Sequence, residues 1–329
     1  MLQAHHYAGL EPGPRLIVLG AVHGNETCGT RAIERMRADL DAGRWTVQRG
    51  ALTLVPVANP LAYARGTRMG ERNLNRRLLP TDTVREFEDR IANLLCPWLA
   101  AHDVLLDLHS FRGRGAPFIL RGPPDNDGTL EPFAHAAAEG RLAAHLGPTR
   151  IVDGWMTAYA AGVARRRERG GPARAGGDGG AGDSDDGDAR YGIGTTEYMR
   201  SQGGYGVTLE CGSHDDPAAP DVGYRAIRQA VALLGLAPLP LAPPARRFDR
   251  LQLATVVDRD HARDRFVRPW ASFDAVAAGE AVAERADGST WRAPRAGRIV
   301  FPDDSARPGH EWFYFAEPSP RPLLAARSR

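Results

Sequence analysis

Short apolar runs alternate with amphipathic helical segments along the first 235 residues, and this alternation limits the fold more than any single motif. Arg15-Leu16-Ile17-Val18-Leu19 and residues 52–57 read as buried strands, as do 104–108, 118–120 and 205–209. Residues 27–42, 83–101, 131–146 and 222–235 read as helices. In 83–101, Phe87, Ile91, Leu94, Leu95, Trp98 and Leu99 recur at helical spacing. Strands and helices in alternation predict an α/β domain around a largely parallel sheet. Ligands of such a sheet gather at the carboxyl ends of its strands.

Two segments break the pattern. Residues 165–190 run Arg-rich, then Gly-rich, then Asp-rich, and offer nothing to fill a core, so they read as a disordered insertion. The Pro-rich stretch Pro238 to Pro244 reads as a linker. It divides a domain at 1–240 from a smaller one at 241–329, whose short runs between Gly, Pro and Asp predict an all-β, barrel-like unit. Within that unit, AGEAVAERADGSTWRAPRAGRIVFPD has the look of a biotinyl-type hammerhead. All 42 basic residues are arginine, however, so the tail cannot be a lysine-borne carrier and is expected to be a structural barrel or a lid. The same absence of lysine excludes Schiff-base enzymes and P-loop nucleotidases.

The net charge of +2 gives no bulk field toward nucleic acid or membrane, so neither is expected as a partner. No apolar run approaches the roughly 18 residues of a membrane span. Three cysteines, an odd and sparse set, together with a first segment lacking the form of a signal peptide, lead us to expect a cytoplasmic protein.

Polar residues cluster where strands should end. His23-Gly24-Asn25-Glu26 follows the first strand, and His109 closes Leu106-Asp107-Leu108-His109-Ser110. Either motif alone suits an ordinary turn. Two imidazoles and a carboxylate on one rim of a sheet are also the ligand set of a catalytic zinc with a fourth position left for water. Asp107 suits a backbone cap or a place facing the metal. Arg68, Asn75 and Arg76 lie in RGTRMGERNLNRRLLP, a solvated loop or a holder of anionic oxygens. Glu210 ends the apolar strand of GYGVTLECGSH; apolar neighbours disfavour its charged form, which suits a general base and acid.

His23-x-x-Glu26, Asn59-Pro60, Asn73-Leu74-Asn75-Arg76, Asp107-Leu108-His109 and Leu209-Glu210, in that order, resemble the succinylglutamate desuccinylase/aspartoacylase family of zinc carboxypeptidase-like hydrolases. The likeness covers about residues 15–235, and the tail resembles the family's second domain. The resemblance implies one Zn²⁺ per chain on His23, Glu26 and His109. It implies that Arg68 polarises the scissile carbonyl and that Glu210 activates water. Asn75, Arg76 and Arg200 would hold the substrate, an N-acyl amino acid of N-succinyl or N-acetyl type. Arg76 and Arg200 together would suit a substrate with two carboxylates. The chain departs from the family's usual Asp-Leu-Asn-Arg at Asn73, and the 165–190 insertion falls just before Arg200. Tyr314 is a candidate contribution from the tail. A zinc carboxypeptidase acting on a peptide or cell-wall fragment and a non-catalytic binding module stand as alternatives, and a homo-oligomer is compatible with all of them.

Overall fold

The computed structural model describes residues 1–168 and 187–324. Seven described strands precede the Pro-rich stretch, β1 (His5–Ala8), β2 (Glu11–Leu19), β3 (Arg49–Val55), β4 (Val104–Phe111), β5 (Phe118–Leu120), β6 (Arg150–Asp153) and β7 (Tyr205–Ser213), and β8 (Asp249–Asp258) comes just after it. Six more follow: β9 (Arg265–Phe266), β10 (Ala275–Val276), β11 (Ala281–Glu284), β12 (Thr290–Arg292), β13 (Gly297–Val300) and β14 (Glu311–Pro318). The helices are α1 (Thr27–Asp41), α2 (Pro60–Arg65), α3 (Phe87–Ala100), α4 (Ala136–His145), α5 (Trp155–Glu168), α6 (Thr195–Ser201) and α7 (Ala219–Leu233).

One mixed sheet organises the chain, in the order β1-β3-β2-β4-β7-β5-β6-β8-β14-β13-β10. The block β3-β2-β4-β7 is parallel, as predicted. Side chains alternate across it, and both faces are covered. Leu16 and Val18 of β2 pack with Ile33 and Met36 of α1 and Ile227 of α7. Ile17 and Leu19 pack on the opposite face with Ile91, Leu95 and Leu99 of α3. The chain leaves β2 for β3 on one side and β4 lies on the other, so β2 is a switch point with a crevice beyond its carboxyl end.

The tail is β-rich, but its described strands do not close a barrel of their own. β6 pairs in parallel with β8, and β14, β13 and β10 continue from β8, so the main sheet runs on past residue 240. Only β12, β11 and β9 form a separate three-stranded sheet. Along β14, Tyr314 and Ala316 join a cluster with Phe111 and Phe118, while Phe313 and Phe315 join a second one. The expected insertion at 165–190 falls largely on residues 169–186, outside the described residues. Its flanks are ordered: Arg165–Glu168 end α5, and Ala189–Gly192 form a 3-10 turn.

Two buried carboxylate clusters fix the loops around the crevice. Glu88 of α3 is fully buried and accepts the backbone N–H groups of Gly70 (2.9 Å), Glu71 (3.1 Å) and Arg72 (3.1 Å) and the side-chain amide of Asn59 (2.9 Å). Asn59 in turn caps α2, with Pro60 at its first position. In the second cluster, Arg200 of α6 donates to Glu139 of α4 (2.9 Å), to Glu131 (2.6 Å), to Glu197 (3.3 Å) and to the carbonyl of Gly206 (2.8 Å). Burial and the neighbouring Glu197 and Glu139 outweigh Arg200 at Glu131 and push its carboxyl up to about 7.

Glu88→Ala should leave three loop N–H groups without an acceptor and lower stability by roughly 3 kcal/mol or more; urea denaturation checks this, and a loss below about 1 kcal/mol would contradict it. Glu131 holds its proton to about pH 7 in the fold but only to its ordinary 4.5 when unfolded. The native state therefore binds the extra proton across that window, and this group's contribution to stability falls as pH rises through it. The Glu131→Gln protein should show a shallower loss of stability from pH 5 to pH 7.5 than the parent. Equal slopes would show that Glu131 does not titrate there.

Candidate active site

The carboxyl ends of β2, β4 and β7 meet in one pocket. Beyond β2 the chain turns through Ala21, whose φ of 48° lies in the left-handed region, and then through Gly24. A Cβ at Gly24 would lie 2.0 Å from the backbone of Ala62, so only glycine lets this turn press against α2. The turn brings His23 and Glu26 over the sheet, both buried. In the parallel register His109 of β4 sits beside Glu210 of β7, and paired residues share a face. Asp107, two residues before His109, shares it too.

Glu26 lies between the two imidazoles. Its Oε1 is 2.9 Å from His23 Nδ1 and its Oε2 is 2.8 Å from His109 Nδ1. Oε2 also accepts the Ser110 N–H at 3.1 Å, and Arg68 donates to Oε1 at 3.1 Å. The far nitrogens of both rings point outward. His109 Nε2 donates to Asp107 at 2.9 Å, and the Thr195 hydroxyl donates to the same carboxylate oxygen. His23 Nε2 meets Asn73 Oδ1 at 3.2 Å, and the Asn75 N–H donates to that same oxygen at 2.9 Å. Asn73 Oδ1 is thus an acceptor, and His23 donates to it.

With Nε2–H donated outward, each Nδ1 presents a lone pair to a carboxylate oxygen. Two acceptors facing each other need a cation between them, a proton or a metal. The three side chains offer ligand atoms within 4.8 Å of one another. Three buried oxygens of the pocket region, Asn25 Oδ1, Asp107 Oδ1 and Glu210 Oε2, have no hydrogen-bond partner among the described residues. Such orphaned acceptors are the surroundings a hydrated cation satisfies. Imidazole nitrogen and carboxylate oxygen are zinc-type donors, so the residues fit that metal.

In the absence of a metal, burial and neighbouring charges set the protonation of these groups. Burial, reinforced by Arg68, lowers His23 to about 4, which keeps its ring neutral and able to ligate. Burial works against a positive His109, but Asp107 and Glu26 on either side overcome it and raise its pKa well above 6.5. Burial would raise Glu26, yet the two imidazoles bring it well below the usual carboxylate range. Glu210 is pushed up to about 8, first by burial and then by Glu26, with His109 and Arg68 opposing.

His23, Glu26, His109, Arg68, Asn75, Arg76 and Glu210 all line this one pocket. Asn75 accepts the Thr195 N–H at 2.9 Å through Oδ1. Arg76 lies 3.8 Å from Glu311 of β14, with its guanidinium carbon 4.9 Å from the centre of the Trp155 ring. Tyr314 also reaches the pocket. Arg200 was expected to hold the substrate, and the structure places it as follows. It stands in the pocket wall, but its guanidinium is engaged by Glu131, Glu139 and Glu197, and three carboxylates on one arginine repel a further one. Sequence reading passed over Trp155, Phe301 and the acceptor role of Asn73. The quoted Asn-Leu-Asn-Arg held the signal for the last, while aromatics scattered from 155 to 314 held none.

Residues 12–155 match the family model of the succinylglutamate desuccinylase/aspartoacylase catalytic domain. A comparison with curated proteins gave no match. Among solved structures, the succinylglutamate desuccinylase/aspartoacylase from Rhodobacter sphaeroides superposes with a TM-score of 0.69 at 16% identity, covering 97% of this chain and 89% of that one. The product-bound ectoine utilization protein EutE (DoeB) from Ruegeria pomeroyi gives 0.65 at 19%, covering 93% and 86%. The succinylglutamate desuccinylase from Vibrio cholerae gives 0.65 at 17%, covering 93% and 82%. At such identities the likeness is one of fold. No described helix is long and apolar enough to cross a membrane. Residues 12–155, which bear His23, Glu26, Arg68 and His109, are thus similar to the catalytic domain of the succinylglutamate desuccinylase/aspartoacylase family.

Proposed function

We propose that this chain is a zinc-dependent amidohydrolase that removes the acyl group from an N-acyl amino acid. The observation that carries the reading is the Glu26 carboxylate between two inward-facing Nδ1 atoms, with the unpartnered carboxylate of Glu210 on the neighbouring strand. His23, Glu26 and His109 would hold one zinc, which when bound supplies Lewis acidity and makes a water easier to deprotonate.

The protein's own groups do the rest. Glu210, raised to about 8 and buried, accepts a proton from the attacking water and returns it to the leaving amine. A cation beside it draws its pKa down toward the range a base needs. Arg68 is more exposed than its partner Glu26, 38% against 2%, so it can turn from that carboxylate toward the carbonyl oxygen as charge develops there. Arg76 holds the amino-acid carboxylate, and Asn75 steadies the start of α6 beside it. Asp107 and Asn73 keep the two rings in the tautomer that presents Nδ1.

Loaded with zinc, the protein should hydrolyse N-acetyl amino acids faster than short peptides, and chelation should abolish the activity. Peptide cleavage in place of deacylation would move the reading to a carboxypeptidase; no hydrolysis of either would favour a binding module. Glu210→Gln should keep the fold and the metal but lose turnover by a factor of roughly 10² or more. Turnover at the parental rate would make Glu210 a structural residue.

A further inference from the structure

The charges of the pocket argue against a second carboxylate on the substrate. Arg200 faces three glutamates, and Arg121 donates to Asp153 at 3.0 Å. Even with Glu131 protonated, Arg200 stays outnumbered by Glu139 and Glu197. Arg68 is paired with Glu26. Arg112 and Arg307 are exposed at the rim, where water screens them. Arg76 is half-buried and meets its carboxylate, Glu311, at 3.8 Å, farther than Arg121 and Arg200 meet theirs, and so is the one placed to accept a substrate carboxylate.

Beside Arg76 the pocket is aromatic. Trp155 at the start of α5 lies under the Arg76 guanidinium. Its ring centre is 5.6 Å from that of Tyr314, which is 6.3 Å from that of Phe301. All three line the pocket, and Trp155 and Phe301 remain partly exposed within it. An α-carboxylate on Arg76 sets the adjoining Cα, and so its side chain, against this wall. Offset or edge-on ring contacts would then form where a charged side chain would lose hydration without a partner.

Resting on the deacylase reading, we infer that the pocket selects N-acyl amino acids with a single carboxylate and an aromatic side chain, held on Arg76 and against Trp155, Phe301 and Tyr314. The test compares N-acetylphenylalanine, N-acetylalanine and N-acetylaspartate on the zinc-loaded protein. The phenylalanine compound should exceed the alanine compound in kcat/KM by about tenfold or more, the scale of apolar side-chain discrimination, and the aspartate compound should be poorest. A preference for aspartate, or equal rates for phenylalanine and alanine, overturns the inference. Trp155→Leu should lower the phenylalanine rate about tenfold more than it lowers the alanine rate; equal losses on both would overturn the role of the wall. If none of the compounds is cleaved, the deacylase reading fails by itself. Calorimetric binding of the same compounds to the zinc-loaded protein then decides the inference: tighter phenylalanine binding upholds it, while tighter aspartate binding, or no binding, overturns it.

Discussion

The contact between Glu26 and the two imidazoles is the interaction on which the site depends. A buried carboxylate is costly unless positive charge or hydrogen-bond donors surround it. Here the Ser110 N–H and Arg68 supply part of that compensation, and whatever occupies the space between the Nδ1 atoms supplies the rest. The turn that carries Glu26 is itself constrained, by the left-handed Ala21 and by the lack of room for a side chain at Gly24. Strain of this kind persists where the surroundings over-determine the backbone, and here they do: α2 presses from one side and the loop held by Glu88 from the other.

The sheet explains why these groups meet. His109 and Glu210 are neighbours in register on two parallel strands, so a potential ligand and a potential base lie on one face without any loop having to find its place. Groups on the strands provide rigidity; the guanidinium groups come from the more mobile type of element, a loop tied to α3 through Glu88. The tail closes the far wall with Phe301, Glu311 and Tyr314. Its strands β8 and β14 extend the main sheet, so that wall is coupled to the strands bearing the polar groups.

Much of this arrangement was legible in the sequence because strand ends are legible. An apolar run followed by polar, ligating residues says both where the strand stops and which rim its side chains occupy, and His23, Glu26, His109 and Glu210 all announce themselves in this way. Arg200 shows the limit. Its spacing from Glu210 suggests a substrate contact, yet Glu131 and Glu139, distant in sequence, neutralise it once α4 and α6 pack together. The tail shows another limit. Period-two alternation reveals strands but not the sheet they join, so the pairing of β6 with β8 could not be foreseen. α5 was missed because its buried residues, Met156, Ala158, Tyr159, Gly162 and Val163, mix small and large side chains with no clear apolar stripe.

In the proposed metal centre, imidazole nitrogen and carboxylate oxygen, not sulfur, hold the ion. Cys28 and Cys211 provide a stringent contrast: both are buried and free, and the Cys28 thiol donates to the His109 carbonyl at 3.3 Å. X-ray absorption at the zinc edge of the zinc-loaded protein tests the claim most directly. The nearest neighbours of the zinc should be nitrogen and oxygen alone, at about 2.0–2.2 Å, with outer scattering from two imidazoles. A zinc–sulfur distance near 2.3 Å, or a spectrum lacking imidazole scattering, would contradict it.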